Sequence, residues 1–195
     1  MDPLFTLPYS EFVVAQQLAH LLPAKLGFSI HTPLSRQQKG IDLVVLRRRG
    51  RHSWAKTIQV KSSRTYSPRP ATRVARKSGV RKFRFYTWLK TFDCPPEADF
   101  FCLVALYPSV DVAERRERGS WWAPQILVFR QVEMRRLLRS IRTAKKKPDS
   151  MFGFGFDDAD EVFQTRGYYG RKQRDFSRYL LAARVGVLRR ALGAR

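Results

Sequence analysis

Two short strings in this chain, Gly40-Ile41-Asp42-Leu43-Val44-Val45 and Ile58-Gln59-Val60-Lys61-Ser62-Ser63, hold an acid, an amide and an amine at spacings that suit chemistry. Each has the alternating, β-branched texture of a strand, whose successive side chains point to opposite faces. Ile41, Leu43 and Val45 then share one face and Asp42 takes the other; Ile58 and Val60 share one face, Gln59 and Lys61 the other. If the two strands pair, Asp42, Gln59 and Lys61 converge on one side of a sheet. Carboxylate and amide oxygens suit a hard divalent cation, and an ammonium group beside them suits a phosphodiester.

The elements that must carry these residues can be read along the chain. Ser10 reads as the N-cap of a helix running to about Leu22, stopped by Pro23. Its apolar stripe is Phe12, Ala15, Leu18, Leu21 and Leu22, and Glu11 leans toward the buried edge of that stripe, where a carboxylate needs a partner. Phe28–His31 reads as a first strand, 41–47 as a second and 54–61 as a third, with a basic hairpin tip at Arg47–Arg51. Residues 83–89 are open between a strand and a helical turn. The apolar runs 99–106 and 125–132 suit central strands. A basic helix is expected over 133–145, then an aromatic-glycine stretch at Met151–Phe156, an acidic patch (Asp157, Asp158, Asp160, Glu161) and a closing helix over about 175–192. The patch is expected to be a helix N-terminus or a counterweight to arginines, with no catalytic role.

Charge narrows the partner. The chain has 195 residues, with 38 Lys and Arg against 16 Asp and Glu, a net charge of +22. Such an excess repels itself in a compact state and makes sense beside a polyanion. DNA or RNA is the expected partner. A membrane surface is not expected, because no long basic amphipathic helix stands out and no run of 18 apolar residues exists. Met1–Phe5 lacks the basic and apolar regions of a secretory signal, and Cys94 and Cys102 suggest neither a disulfide framework nor a zinc site, so a reducing cytoplasm is expected. Both cysteines read as small buried hydrophobes. His20, His31 and His52 have no metal-ligand spacing and read as surface residues.

The basic residues are concentrated. Between Ser62 and Phe92 no acid occurs, and Arg64, Arg69, Arg73, Arg76, Lys77, Arg81, Lys82, Arg84 and Lys90 are interleaved with Tyr66, Phe83, Phe85, Tyr86 and Trp88. With Ser62 and Ser63 these cations are the expected nucleic-acid contacts, most of them to phosphates. Arg135, Arg136, Arg139 and Arg142 have the spacing to track a backbone along a helix. Tyr168 and Tyr169, close to Arg166 and Arg171, either stack on bases or pack in the fold, two readings left open here.

Helix, three strands, a basic insertion and two further strands, with Glu11, Asp42, Gln59 and Lys61 where they stand, resemble the PD-(D/E)xK nuclease superfamily. The likeness covers about residues 8–132, and its specific part is Gly40–Val44 followed by Gln59–Ser63. By that resemblance Asp42 is the metal-binding acid of the second strand, Lys61 the lysine of the x-K half, and Glu11 the extra acid of the first helix. Gln59 stands where Asp or Glu is usual, and Ile41 where the Pro of the motif name would be. The resemblance implies an α/β fold: a restriction endonuclease-like core over 1–132 with a mixed central sheet flanked by helices, 62–92 being a DNA-contacting insertion. A basic helical extension over 133–195 would follow.

The activity implied is that of a metal-dependent DNA endonuclease using Asp42, Gln59, Lys61 and Glu11, and this resemblance is what favours DNA over RNA as the partner. Mg²⁺, or Mn²⁺ in its place, would be held by Asp42, Glu11, Gln59 and the Val60 backbone carbonyl. An amide at position 59 removes one negative charge from the donor set, so weak metal affinity is expected. Symmetric cutting of a duplex needs two sites, hence a homodimer. Taken singly, each string is an ordinary strand edge. The alternative is therefore a non-catalytic nucleic-acid-binding protein with a nuclease-like fold and a degenerate site.

Overall fold

The computed structural model describes residues 9–33, 40–67, 82–108, 122–157, 161–169 and 173–194. Helix α1 (Tyr9–Leu21) buries Ser10, Val13, Val14 and Leu18. Ser10 therefore lies inside the helix and does not cap it. Strands β1 (Phe28–His31), β2 (Leu43–Arg49) and β3 (His52–Ser63) form an antiparallel meander, with Leu43 opposite Ile58. The chain then leaves this sheet for β4 (Thr65–Tyr66) and β5 (Phe85–Lys90), and returns as β6 (Phe100–Pro108), parallel to β3. Strand β7 (Trp122–Arg130) pairs antiparallel with β6 and closes the first sheet, whose order is β1-β2-β3-β6-β7.

The alternation expected of β2 and β3 holds. Leu43, Val45, Ile58 and Val60 are buried in one cluster with Val13, Val14 and Leu18 of α1, so these residues make the helix-facing side of the sheet. The other side carries Phe101, Leu103, Leu127 and Phe129, buried against a second sheet. That sheet has the order β10-β9-β8-β5-β4 and is antiparallel throughout. Its later strands are β8 (Met151–Phe156), β9 (Val162–Arg166) and β10 (Arg174–Asp175). Residues 85–90 are thus a strand, resolving the ambiguity at that segment.

The α/β class is as expected: the described residues form two sheets and three α-helices, α2 being Gln131–Arg139 and α3 Leu181–Ala191. Two features differ from the reading of 133–195 as a helical extension. First, residues 151–175 supply three of the second sheet's five strands. In 151–156 every second residue is Phe, and Phe152, Phe154 and Phe156 all turn into the core, which is the period of a strand. Second, α3 is part of the first core: Leu181, Leu188 and Leu192 are buried with the α1 residues. Arg47, 7 % exposed, fastens this helix by donating to the Leu192 carbonyl, its guanidinium lying between the Phe28 and Trp54 rings. Arg189 donates to the Leu21 carbonyl from the other side. Helix α2 follows β7 directly, and its Met134 and Leu137 join the second cluster. No helix among the described residues is long and apolar enough to cross a membrane.

Candidate active site

Strand β3 runs five residues, Gln59 to Ser63, beyond its last pairing with β2 at Ile58, and the candidate residues sit at that fork. The Asp42 amide donates to the Ile58 carbonyl, the last backbone bond of the pair. One residue further along, the ladder is continued by a side chain: Asp42 Oδ2 accepts the Val60 N–H at 2.6 Å. In an antiparallel ladder a residue's N–H and C=O leave the strand on the same side. The Val60 carbonyl therefore also points past the start of β2, toward Asp42.

Gln59 stands opposite Asp42 by register and turns to the face away from α1. It is 7 % exposed, and its Oε1 is wholly buried with no hydrogen-bond partner among the described residues. Its roof is built by Gly40 and Pro95. A Cβ at Gly40 would lie 2.6 Å from Pro95 Cγ and 3.7 Å from Gln59 Nε2, and its φ of +97° is one that L side chains rarely adopt. Glycine at this position lets the chain fold under the loop over 91–98 and enclose the amide. A buried carbonyl oxygen without a donor costs about 1–3 kcal/mol.

Lys61 is two residues on from Gln59, about 7 Å along the strand and on the same face. It is half-buried, with Nζ 5.6 Å from the centre of the Phe92 ring. It opens into a groove of about 570 Å³ shared with Ser62, Ser63, Arg64, Trp88 and Lys90. Asp42, Gln59 and Lys61 thus follow one another from the fork into this groove.

Glu11 is placed differently. It is half-buried and shares its side of α1 with Val14 and Leu18, one and two turns on. These pack on the face formed by Ile58 and Val60, across the sheet from Gln59 and Lys61. Tyr9, at the start of α1, lines a groove with Ser62, Ser63 and Arg64, so the Glu11 end of the helix lies toward the end of β3. Among the described residues no cluster of three or more His, Cys, Asp and Glu side chains forms. The oxygens gathered at the fork are one carboxylate, one amide oxygen and one backbone carbonyl.

The cysteines divide. Cys102 lies on the helix-facing side beside Val60; burial pushes its thiol up to about 12, and the Asp42 carboxylate acts in the same direction. Cys94 is half-buried, contrary to expectation, and burial raises its thiol against the opposing pull of nearby Arg135. The three histidines are exposed, as expected.

Of the expected nucleic-acid contacts, Ser62, Ser63 and Arg64 line the groove. Lys82 and Arg84 are exposed near the start of β5, Arg84 lying over the Phe85 ring, and its amide donates to Asp157 of the acidic patch. Arg135 and Arg139 are exposed on α2, whereas Arg142 donates to the Arg139 and Ile141 carbonyls and so caps the end of that helix. Arg69, Arg73, Arg76, Lys77 and Arg81 lie outside the described residues. Phe92 lines the groove as well and was not singled out from the sequence; Lys90 and Trp88, named in the basic and aromatic stretch, line it too. The signal for that pair is the alternation of Tyr86, Trp88 and Lys90 with buried Phe85, Thr87 and Leu89. Compared with protein-family models, with curated proteins and with solved structures, the chain finds no match in any of the three.

Proposed function

We propose that this chain is a metal-dependent DNA endonuclease, a phosphodiester hydrolase whose first sheet and α1 make a restriction endonuclease-like core of the PD-(D/E)xK type. The order of elements supports the fold reading: a helix, three antiparallel strands, then a strand parallel to the third. The observation that carries the function is the fork. There Asp42 holds the Val60 amide, the Gln59 oxygen lies buried without a donor, and Lys61 follows on the same face.

The orphaned Gln59 oxygen, the second Asp42 oxygen and the Val60 carbonyl fit a hard, oxygen-seeking dication, Mg²⁺ or Mn²⁺, that keeps several of its waters. Such an ion supplies charge for the phosphorane-like transition state and a water of lowered pKa. The chain's own residues do the rest. Asp42 is fixed by the Val60 bond, so its free oxygen needs no reorganisation to bind. Gln59 is held by its roof. Lys61, on the groove wall, neutralises the scissile phosphate and orients the attacking water. Glu11 would enter from the α1 side of the open strand end. Only if the substrate is a duplex cut symmetrically would two copies of the site, in a homodimer, be needed.

The test is incubation of plasmid and branched DNA with Mg²⁺ or Mn²⁺. Cutting that disappears in Lys61→Ala while DNA binding survives supports the enzyme. Intact substrates with a folded wild-type protein overturn it. One observation favours a second reading, a DNA-binding protein with a degenerate site: the donor set at the fork carries a single negative charge because position 59 is an amide. Under that reading Lys61→Ala lowers affinity slightly and no condition yields cleavage.

A further inference from the structure

We infer that the stacked pair Tyr66–Trp88 is a platform for unpaired bases, so that the groove leading to Lys61 takes a single DNA strand rather than an intact duplex. This names a substrate class for the endonuclease reading and rests on it for the purpose of the platform, though not for its binding.

The geometry begins with the glycines of β8. Trp88 is paired with Gly153 and Tyr86 with Gly155. A Cβ at Gly153 would sit 2.3 Å from Trp88 Cδ1 and 2.7 Å from the Thr87 carbonyl oxygen, so the indole occupies the place of the missing side chain. Gly155 is used in the same way by the Phe83 ring, at 2.3 Å. The two seats differ in what covers them. Phe83 is 3 % exposed and stacked on Phe163, which is ordinary packing. Trp88 is 37 % exposed, and Tyr66 of the edge strand β4, 42 % exposed, stacks on it at 4.9 Å and 27°. Two large rings are thus stacked on each other and left partly open to solvent together.

Their surroundings suit an anionic chain. Lys61, Arg64 and Lys90 line the same groove, and no acid is among its described lining residues. Aromatic faces interleaved with cations bind single strands, since each base has a π-face and each phosphate a charge. A paired base is already stacked on its neighbours and cannot lie on such a ring without leaving the duplex. The seat on Gly153 keeps the indole in place before any ligand arrives, which lowers the ordering cost of binding.

The experiment is fluorescence anisotropy in EDTA, so that no cutting intervenes, with three labelled probes of equal phosphate number: oligothymidylate, the same strand made abasic, and a hairpin duplex. The oligothymidylate should bind more tightly than either of the others. Tyr66→Ala, on a two-residue edge strand where the fold tolerates it, should weaken oligothymidylate binding roughly 5- to 150-fold and leave the abasic strand unchanged. Trp88→Phe should retain most of the affinity that Trp88→Ala loses. Equal affinity for strand and hairpin, or oligothymidylate binding indifferent to Tyr66→Ala, overturns the inference. Because no metal is present, a protein that binds strands but never cuts defeats only the nuclease reading. One that cuts duplex DNA without strand preference defeats only the platform.

Discussion

The carboxylate of Asp42 accepts the amide proton of Val60 at 2.6 Å, a side chain standing in for the next backbone carbonyl of β2. This relationship fixes where the two strands part, and it ties stability to the acid. Asp42→Ala should cost about 1.5–3 kcal/mol, as for a lost hydrogen bond to a charged group, whereas Asp42→Asn keeps an acceptor and should cost about 1 kcal/mol less. Both should abolish cleavage. Thermal melts and plasmid nicking on the two variants separate the roles, and an Asn variant that cuts at the wild-type rate would remove Asp42 from the metal set.

Gln59→Glu tests whether the fork is a cation site without relying on activity. A carboxyl in this enclosed place has its folded pKa raised by burial above the ordinary value near 4.3. The folded state then binds the proton more tightly than the unfolded one, so stability is lost as pH rises through the window between the two values. In EDTA at neutral pH the variant should melt below the wild type, by about 1.4 kcal/mol for each pH unit of that window. Adding Mg²⁺ should recover the loss, since the ion pairs with the ionised group. A melting curve indifferent to Mg²⁺ would speak against a cation at this position.

Leu188→Ala addresses the closing helix. Leu188 is 1 % exposed beneath α1 and the first sheet, so truncation should cost about 2–5 kcal/mol in chemical denaturation. A free-standing basic extension would show almost no change.

What was legible in the chain follows from periodicity. Leu43, Val45, Ile58 and Val60 alternate without interruption, so the first three strands, their faces and the common side of Gln59 and Lys61 could all be read. Helical period told which side of α1 carries Glu11, but nothing local says on which face of the sheet the helix lies. The second sheet was hidden because Gly153 and Gly155 have no side chains to complete the alternation of a strand, and the rings that fill their places, Trp88 and Phe83, lie far away in sequence. The docking of α3 was hidden by Arg47, whose charge argues for solvent although its guanidinium lies between two rings. The close approach of Gly40 to both Pro95 and Gln59 joins segments far apart in sequence, and no spacing rule could have supplied it.

Acid should loosen the join between β3 and β6 first. Burial pushes the Asp99 carboxyl up, but the bonds from Lys56 Nζ at 2.8 Å and from the Thr57 amide at 3.0 Å outweigh it and hold the group below its ordinary value. A lowered folded pKa contributes stability that is fully present above the unfolded value near 3.9 and is lost as pH falls through the folded one. Asp99→Ala should therefore cost about 1–2 kcal/mol at neutral pH, the pair being partly exposed, and progressively less below about pH 4. Urea unfolding of wild type and variant at neutral and acid pH checks this; a constant difference would refute the ionic origin.

Gly153→Ala joins the fold to the groove. Its new methyl group would meet Trp88 Cδ1 at 2.3 Å and the Thr87 carbonyl oxygen at 2.7 Å. The indole can swing away, but the carbonyl belongs to the paired β5 backbone and cannot move far. Overpacking of this kind costs about 1–3 kcal/mol. Stability should fall by that amount, and the displaced Trp88 should lose its stack on Tyr66, visible as a change in near-ultraviolet circular dichroism. Gly155→Ala, at the covered Phe83 seat, should be destabilising to a similar degree while leaving the Tyr66–Trp88 signal intact. Equal near-ultraviolet spectra for the two variants would show that Gly153 does not hold the indole.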